Sequence, residues 1–470
     1  MIKHFFNCIL PVYSCNFRCK YCFVHQTHAE EGKKDYHLDA DRIKKALTIE
    51  RCGKSFMNLC SNGETLLQPE IIEIAEGLLE NGHIVAIVTN LTYTKKIDEL
   101  CCLPLEYRNR LFIKASFHYE QLVERNLVDV YFDNIKKLHA HGISYSMEMV
   151  ANDDIVDDID TIMQLFADHD EMMPQIIESR ETVSGEFGRL TSNDVEKHVE
   201  IWSKFDSDMF DGMQEFWGVK RNEFCYAGEY SAAIDLKTGF VTQCDKCRSI
   251  QNIYQNIDKP LLFCAVGENC QISHCYISYV WQRLCGNVRS TNHKPYYLTR
   301  NRCYSDGTEW LSKEIREEWS SVIGENCGYY SERKEAVVGG MMDAFYKGCV
   351  SETKSKVVLR WLMEKLSGYS SKRVVIYGFG KIGKYLYSLL REESGFDVVG
   401  VIDRCKVDSE DHIKYISIDS LNNKELSKLN IDAVIVTPLT DSFSIEDHIK
   451  KIYGDEMSVI NLLYEMNMEK

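Results

Sequence analysis

Three cysteines near the N-terminus, Cys15, Cys19 and Cys22, have the spacing Cys-x3-Cys-x2-Cys and follow an apolar segment directly. Thiolate is the ligand that iron–sulfur clusters favour, and three closely spaced thiolates can hold three corners of a 4Fe–4S cube. The fourth iron then has no ligand from this motif and is open to a small molecule. A zinc site or a fully ligated electron-transfer cluster is the alternative. Zinc sites commonly take four ligands in paired CxxC motifs, which this uneven triplet fits poorly.

The triplet, together with the aromatic Tyr21 before its third cysteine, resembles the radical SAM superfamily. A second motif follows the next predicted strand, where residues 61–65 read Ser-Asn-Gly-Glu-Thr. It resembles the GGE motif with which that family binds the amino group of S-adenosylmethionine (SAM). Asn62 replaces the first glycine, while Gly63 and Glu64 stay in register. Asparagine also adopts positive φ, so the turn remains feasible.

The resemblance implies a cluster that cleaves SAM reductively to a 5′-deoxyadenosyl radical, which then abstracts hydrogen from a substrate. It also implies a low-potential electron donor such as flavodoxin or ferredoxin. The three cysteines would hold the cluster, and the residues expected around SAM are Tyr21, Asn62, Gly63, Glu64, Ser116 and Glu148. Of these, Tyr21 is expected near the adenine, and Ser116 and Glu148 near the ribose or methionine end. No catalytic acid, base or hydrogen donor is assigned.

A second group of six cysteines lies within 51 residues: Cys225, Cys244, Cys247, Cys264, Cys270 and Cys275. Between the first two, Asp-x-x-Thr-Gly at residues 235–239 predicts a hairpin turn that brings both cysteines together. The segment resembles the SPASM or shorter twitch extension, which carries auxiliary iron–sulfur clusters. The CxxC pair that opens the later SPASM block is missing before Cys270. At least one auxiliary cluster is therefore expected, a second stays open, and burial as structural cysteines is the alternative.

Near the C-terminus, Gly378-x-Gly380-x-x-Gly383 follows one predicted strand and opens a helix, and Asp403 ends the next strand. Such glycines permit a tight turn and the approach of a phosphate to the helix N-terminus. Asp403 would accept a hydrogen bond from a ribose hydroxyl. The unit is too short for a complete dehydrogenase. It resembles small Rossmann-like domains appended to proteins of nucleotide-sugar metabolism, so nucleotide binding and docking are both open.

These motifs are positioned by alternating strands and helices, which predict a parallel α/β sheet with right-handed crossovers. The expected fold is a partial (β/α)6 barrel with its chemistry at the carboxyl ends of the strands. A cysteine-rich auxiliary-cluster extension, a helical connector and a small Rossmann-like domain follow. The predicted boundaries are 1–190, 191–305, 306–368 and 369–470. The predicted barrel strands are 4–10, 56–59, 84–88, 112–116, 144–150 and 175–178, and helices are predicted over 40–51 and 69–81.

Charge and cysteine usage limit the partners and the compartment. The formal net charge of −16 argues against broad contact with nucleic acid or anionic lipid. The sequence contains no run of about 20 uncharged apolar residues, so no membrane-spanning helix is predicted. Nineteen cysteines without an export signal predict a cytoplasmic protein with reduced thiols.

The sequence thus favours a radical SAM enzyme of undetermined subclass, either oxidoreductase or isomerase. SPASM-type extensions often accompany peptide- or protein-modifying enzymes, which makes a maturase one alternative. The chain starts at the first predicted strand, without an N-terminal peptide-recognition domain, and ends in a Rossmann-like unit. Both features favour a sugar, nucleotide-sugar or other small-molecule substrate. The alternative of a different class is a non-catalytic iron–sulfur redox sensor with a nucleotide-sensing domain.

Overall fold

The computed structural model describes residues 1–27, 36–244, 246–289, 294–368, 372–392, 395–404, 414–421 and 425–469. They divide into two compact units. Unit 1 comprises Met1–Arg221, Tyr230–Gly239 and Gln271–Gly328, and unit 2 comprises Asn222–Glu229, Phe240–Cys270 and Tyr329–Lys470. Parts of the predicted C-terminal domain, such as residues 405–413, lie outside the described residues.

Unit 1 contains a large parallel sheet, as expected for an α/β fold. Six of its strands follow the order of the chain, and a seventh pairs in parallel with the free side of the first, giving the order β6-β5-β4-β3-β2-β1-β7. The strands are β1 (His4–Leu10), β2 (Ser55–Ser61), β3 (Ile84–Thr89), β4 (Leu111–Phe117), β5 (Ser144–Ala151), β6 (Gln175–Glu178) and β7 (Ser231–Asp235). The predicted position of each of the first six strands is confirmed.

The sheet is covered by helices, as its strand sequences require. β3 reads Ile-Val-Ala-Ile-Val-Thr and is buried on both faces, the pattern of a covered parallel strand. The helices of unit 1 are α1 (Phe23–Gln26), α2 (Ala40–Ala46), α3 (Ile49–Cys52), α4 (Ile71–Glu80), α5 (Thr94–Cys101), α6 (Leu105–Arg108), α7 (Tyr119–Glu124), α8 (Val128–Ala140), α9 (Ile159–Asp168), α10 (Val195–Trp202), α11 (Asp208–Gln214), α12 (Ser278–Trp281), α13 (Lys313–Glu318) and α14 (Ile323–Cys327).

Two expectations about unit 1 need correction. The single helix predicted over residues 40–51 is interrupted at Leu47 and Thr48, where α2 ends and α3 begins. The helical connector predicted over 306–368 contains only two short helices before residue 328, α13 and α14. Trp319, which follows α13, is fully buried, with its ring centroid 5.0 Å from those of Phe56 and Phe112. The early part of this segment thus packs against the sheet although its backbone is only partly helical.

Unit 2 contains a separate parallel sheet with the order β12-β11-β10-β13-β14. Val375, Ile402 and Val434 form the centre of its core. The strands are β10 (Arg373–Tyr377), β11 (Asp397–Asp403), β12 (Tyr415–Ser417), β13 (Ala433–Val436) and β14 (Ser458–Asn461). The helices are α15 (Glu332–Lys347), α16 (Glu352–Lys365), α17 (Lys381–Glu392), α18 (Ile418–Leu421), α19 (Ser442–Tyr453) and α20 (Leu462–Met468).

The cysteine-rich part of unit 2 contains a short antiparallel pair, β8 (Phe240–Thr242) and β9 (Ser249–Asn252). No helix in the described parts of the chain is both long and apolar enough to cross a bilayer.

Candidate active site

A cavity of about 430 Å3 lies in unit 1, where the strands β1 to β6 end. Its size is in the range of small-molecule sites. Because parallel strands present their carboxyl ends at one edge of the sheet, the polar residues that follow them converge there. Most of the residues predicted around SAM line this cavity: Cys15, Cys19, Tyr21, Cys22, Asn62, Gly63, Glu64 and Ser116.

The three cysteines of the N-terminal triplet occupy one loop after β1. Cys15 and Cys22 are partly buried, and Cys19 is 7% exposed. Burial, with a smaller contribution from the Cys22 thiol, raises the pKa of Cys15 to about 11 and that of Cys19 to about 12. A thiolate in this loop therefore requires a positive ligand, which an iron–sulfur cluster provides.

Within the described residues, no set of three or more His, Cys, Asp or Glu side chains is arranged to hold a metal ion. An iron–sulfur cube is larger than a single ion, so its thiolate ligands stand farther apart. Three thiols that share one loop and one cavity wall suit the larger group. The donor set, three soft sulfur atoms, is also the one that iron–sulfur clusters prefer.

Gly63 joins the end of β2 to the cysteine loop. Its N–H donates to the carbonyl of Val12 at 2.9 Å, and the N–H of Glu64 donates to the carbonyl of Ser14, also at 2.9 Å. A Cβ on Gly63 would lie 2.7 Å from the carbonyl carbon of Ser14, which is rigid backbone. Neither Asn62 nor Gly63 has a positive φ, contrary to the turn expected for Asn62. The glycine is required by this close approach.

The carboxylate of Glu64 is buried at the cavity wall. It accepts hydrogen bonds from the Thr89 hydroxyl at 2.6 Å, the Asn90 N–H at 2.8 Å and the Leu66 N–H at 2.9 Å. Burial raises the pKa of Glu64 above its usual range in spite of these donors. A cationic group in the cavity would therefore stabilise the ionised carboxylate. Thr89 and Asn90 had no predicted role, although their position at the end of a strand is a usable signal.

Tyr21 contacts a histidine at the end of the fourth strand, to which the sequence assigned no role. The Tyr21 hydroxyl is 2.7 Å from Nδ1 of His118, which follows β4 two residues after Ser116. Burial, reinforced by the charge of Lys114, lowers the pKa of His118 to about 4, so its ring is neutral. The pair fixes Tyr21 beside the cysteine loop, and both rings line the cavity.

Glu148 does not line the cavity with the other predicted residues. Its side chain is fully buried between two cations, with Oε2 2.9 Å from Nζ of Lys114 and Oε1 paired with Nη1 of Arg300. Lys114 itself lines the cavity, and its Nζ is 5.5 Å from the ring centroid of Tyr279. Burial lowers the pKa of Lys114, and the charge of Arg300 acts in the same direction. Glu148 thus acts on the cavity through Lys114.

The wall after β6 contains functional groups that sequence reasoning missed. Glu178 accepts from Nε of Arg189 at 3.0 Å, Nε2 of His198 at 2.8 Å and Nε2 of Gln214 at 2.8 Å. Burial alone would raise the pKa of Glu178, but the hydrogen bond and charge of His198 lower it, so the carboxylate stays ionised. The wall also includes Arg180, Trp217, Tyr276 and Tyr279. Arg180, Trp217 and Tyr276 lie in irregular segments and Tyr279 lies in the short helix α12, so no sequence period marks them.

The six cysteines of the second group do not all belong to one unit. Cys275 is part of unit 1, whereas the other five are part of unit 2. In unit 2, the N–H of Cys225 donates to the carbonyl of Gly267 at 3.0 Å, and the N–H of Cys264 donates to that of Gly228 at 3.0 Å. This ladder aligns the segments of Cys225 and Cys264.

A turn in the same unit links two more of these cysteines, since the N–H of Cys247 donates to the carbonyl of Cys244 at 2.9 Å. The side chain of Gln243 ties this turn to the ladder by donating to the carbonyl of Cys264 at 2.6 Å. The Cys264 thiol is fully buried, and burial, reinforced by the charge of Glu229, raises its pKa. Cys270 is partly buried.

The glycine loop after β10 has two glycines that the fold itself requires. Gly378 has φ +88°, and a Cβ on Gly383 would overlap the Gly378 carbonyl. Gly380 differs, since a Cβ there would meet no atom within 4 Å. Asp403 lies at this loop, where its Oδ2 accepts a hydrogen bond from the N–H of Phe379 at 2.6 Å.

The first half of unit 1 matches a known protein family. Residues 9–166 match the sequence model of the radical SAM superfamily. Members of that superfamily are enzymes that use a 4Fe–4S cluster and SAM. The matched segment contains the cysteine triplet, the Gly63-Glu64 turn and β2 to β5.

One curated relative matches a shorter part of the chain. It is a protein of Methanocaldococcus jannaschii named as a glycyl-radical enzyme activating enzyme, 33% identical over 92 residues. The alignment covers 19% of this chain, which spans about a third (34%) of the relative's length.

Solved structures of radical SAM enzymes show a weaker similarity. SuiB of Streptococcus suis, bound to the precursor peptide SuiA, has a TM-score of 0.38 at 13% identity, covering 55% of this chain and 64% of SuiB. The enzyme anSMEcpe with bound SAM has a TM-score of 0.38 at 12% identity, covering 53% of this chain and 78% of anSMEcpe. Scores of this size say nothing about the substrate of this chain.

Replacing Gly63 by alanine tests the contact between β2 and the cysteine loop. We expect Gly63→Ala to cost about 1 to 3 kcal/mol of stability, as overpacking does, and to displace the loop that carries Cys15. Iron bound per chain after anaerobic reconstitution should fall, together with SAM affinity in equilibrium dialysis. Gly188→Ala is the control, because a Cβ there meets no atom within 4 Å. Equal iron content in both variants would contradict this role of Gly63.

Replacing Glu148 by glutamine tests its ion pairs. Glu148→Gln leaves the buried cations Lys114 and Arg300 without their anion, so we expect a loss of about 3 to 5 kcal/mol in the free energy of unfolding. Urea unfolding followed by circular dichroism measures it. Glu317→Gln, which removes an exposed carboxylate 3.7 Å from Lys313, should change stability little. A similarly small effect at Glu148 would show that the two cations do not depend on it.

Proposed function

We propose that this protein is a radical SAM enzyme that cleaves SAM reductively and uses the resulting 5′-deoxyadenosyl radical to abstract hydrogen from a substrate. The observation that carries the proposal is the cavity of unit 1, in which the cysteine triplet and the Gly63-Glu64 turn share one wall. The match of residues 9–166 to the superfamily supports it. The corresponding fold would be a partial (β/α)6 barrel formed by β1 to β6.

The residues of the cavity suit both groups that the reaction needs. Cys15, Cys19 and Cys22 would hold the cluster, and a bound 4Fe–4S cluster supplies the electron that cleaves the sulfonium bond of SAM. Glu64 would accept the amino group of SAM, since burial leaves this carboxylate in need of a cation. Tyr21, fixed by His118, would lie beside the adenine. Asn62 and Ser116 would complete the polar contacts of SAM.

The proposed reaction requires that the 5′-deoxyadenosyl radical reacts only with the substrate. Trp217, Tyr276 and Ile277 contribute apolar surface to the lining of the cavity. Such a surface excludes water and positions a carbon–hydrogen bond for abstraction. Glu148, itself paired with Arg300, holds the amino group of Lys114 at the edge of the cavity.

We further propose that the second cysteine group holds at least one auxiliary iron–sulfur cluster. The backbone ladder that aligns Cys225 with Cys264, and the turn linking Cys244 with Cys247, support a shared site in unit 2. Cys270 of the same unit would be a further candidate ligand. Such a cluster would accept an electron from the substrate radical or anchor the substrate, as in a SPASM- or twitch-like extension. Flavodoxin or ferredoxin would supply the electron for SAM cleavage.

For unit 2 we also propose nucleotide binding by a Rossmann-like domain. Gly378 and Gly383 are explained by packing, but the open space at Gly380 is not, and it adjoins the N-terminus of α17. A phosphate would fit a helix N-terminus of this kind. A sugar, nucleotide-sugar or other small molecule is therefore favoured as the substrate over a peptide.

The central test is the formation of 5′-deoxyadenosine. With dithionite and SAM, the anaerobically reconstituted wild type should produce it, as measured by mass spectrometry. The variant with alanine at Cys15, Cys19 and Cys22 should lose the product together with about four iron atoms per chain. A matched variant with alanine at Cys102, Cys303 and Cys349, all exposed, should keep both. Equal product from both triple variants would refute the assignment of the cluster.

The redox sensor is the second candidate, and SAM binding separates the two. The enzyme requires SAM to reach the cluster, so adding SAM should change the electron paramagnetic resonance spectrum of the reduced wild type. A spectrum that is indifferent to SAM, with no 5′-deoxyadenosine formed, would favour the sensor. The cradle formed by Gly63 and Glu64 favours the enzyme, because a sensor has no need of it.

Nucleotide binding is tested at Gly380. Gly380→Val adds a side chain where the protein has open space, so the thermal midpoint should stay unchanged while the phosphate site is blocked. Equilibrium dialysis with radiolabelled ADP and UDP should show binding to the wild type and to Gly368→Val, a control at another open glycine. Gly380→Val should bind neither. Absence of binding to the wild type would leave docking as the function of this unit.

A further inference from the structure

Among the described residues, the lysine and arginine side chains that line the cavity of unit 1 are Arg18, Lys114 and Arg180. Two of them are engaged by the protein itself. The guanidinium of Arg18 donates to the carbonyls of Cys15 at 2.6 Å and Phe17 at 2.9 Å. Lys114 is paired with Glu148. Lys114 thus already has a carboxylate partner, and Arg18 is an exposed side chain bound to carbonyls of its own loop.

Arg180 has no such partner. Within the described part of the chain, its guanidinium makes no hydrogen bond and no carboxylate lies within 4.0 Å of it. The neighbouring carboxylate, Glu178, is already occupied by Arg189, His198 and Gln214. A half-buried guanidinium without an anion is unfavourable, because it has lost part of its hydration without gaining a counter-charge.

Two aromatic rings hold the guanidinium of Arg180 in place. Its Cζ is 4.5 Å from the ring centroid of Tyr276 and 5.2 Å from that of Phe23. Cation–π contacts of this kind fix the plane of a guanidinium and leave its N–H edge available. The backbone is fixed as well, since Nε2 of Gln26 donates to the Arg180 carbonyl at 3.0 Å. The donor edge is therefore pre-organised.

Arg180 lies apart from the Gly63-Glu64 turn and Ser116 but near Tyr21, because Nε2 of Gln26 donates to the carbonyls of both Tyr21 and Arg180 at 3.0 Å. Arg180 follows β6, at one end of the sheet, while the Gly63-Glu64 turn follows β2 and Ser116 belongs to β4. Tyr276 contacts Arg180, and Ile277 and Trp217 line the same cavity. This part of the cavity is left for the substrate once SAM occupies the residues after β2 and β4.

We infer that Arg180 binds an anionic group of the substrate, a carboxylate or a phosphate, as the substrate-anchoring residue of the cavity. The inference rests on the proposed function, because it assigns the remaining part of the same site. A guanidinium fork matches either oxyanion with two parallel hydrogen bonds. Trp217 and Ile277 line the same cavity and would contact an apolar or ring part of that substrate. Such a substrate is a small acid or phosphate ester.

The experiment measures anion binding to the anaerobically reconstituted, SAM-loaded full-length protein. Equilibrium dialysis uses radiolabelled inorganic phosphate and, separately, radiolabelled acetate, at constant ionic strength set with chloride. Wild type should bind at least one of the two, and the preferred anion distinguishes a phosphate ester from a carboxylic acid. Arg180→Gln should weaken that binding at least about tenfold, the size expected for a charge-assisted pair.

Two further variants separate geometry from net charge. Arg180→Lys keeps the charge but loses the planar fork, so its affinity should lie between those of wild type and Arg180→Gln. Arg42→Gln removes one positive charge from the exposed face of α2 and should bind like the wild type. A loss in Arg42→Gln as large as in Arg180→Gln would show a general charge effect and overturn the inference.

SAM affinity and 5′-deoxyadenosine formation are measured on the same samples. If wild type binds neither anion, or Arg180→Gln binds as wild type does, the anion site is refuted. If Arg180→Gln weakens SAM binding as much as anion binding, Arg180 contacts SAM and the substrate assignment is wrong. Anion binding without SAM cleavage would refute the proposed function and leave the anion site standing. SAM cleavage without anion binding would refute the anion site and leave the proposed function standing.

Discussion

Two backbone hydrogen bonds carry the pairing of β1 and β2 beyond the ends of the strands and into the cysteine loop. Gly63 and Glu64 donate to the carbonyls of Val12 and Ser14, each at 2.9 Å. The approach is so close that only glycine fits at residue 63. The rest of the site depends on this contact, because it places the cysteine triplet and the carboxylate of Glu64 on one wall. The Gly-Glu turn therefore has a structural function in addition to the proposed contact with SAM.

Buried charge is the second constraint on the cavity. Glu148 lies between two buried basic groups, Lys114 and Arg300, and pairs with both. Glu178, the last residue of β6, is likewise surrounded by hydrogen-bond donors, which are Arg189, His198 and Gln214. The cavity of a chain with formal net charge −16 is thus lined by basic side chains, among them Lys114 and Arg180. Local charge in the cavity affects which substrate binds there, whereas the overall charge affects which large partners the protein attracts over long distances.

Unit 2 shows why a sequence motif can have two causes. Gly378 and Gly383 match a nucleotide-binding pattern, yet the fold would require both even without a ligand, because a Cβ at either would meet neighbouring atoms. Only Gly380 lacks such a reason.

In the cysteine-rich part, the backbone hydrogen bonds between the segments of Cys225 and Cys264 could not be predicted from the spacing of the cysteines. The predicted hairpin turn at 235–239 is held by Asp235, whose carbonyl accepts from Gly239 at 2.7 Å.

The sequence by itself determined the six strands of the first sheet and the cysteine triplet. Both are local signals, since a covered parallel strand is a continuous apolar run and a loop motif is a spacing. Only the tertiary structure decided that β7 pairs with β1, that Glu148 is held by Arg300, and that Arg180 stacks on Tyr276. These partners are far apart in the chain, and neither periodicity nor spacing encodes which distant side chains will meet. Their contacts follow from packing the later segments against a sheet that the early residues had already specified.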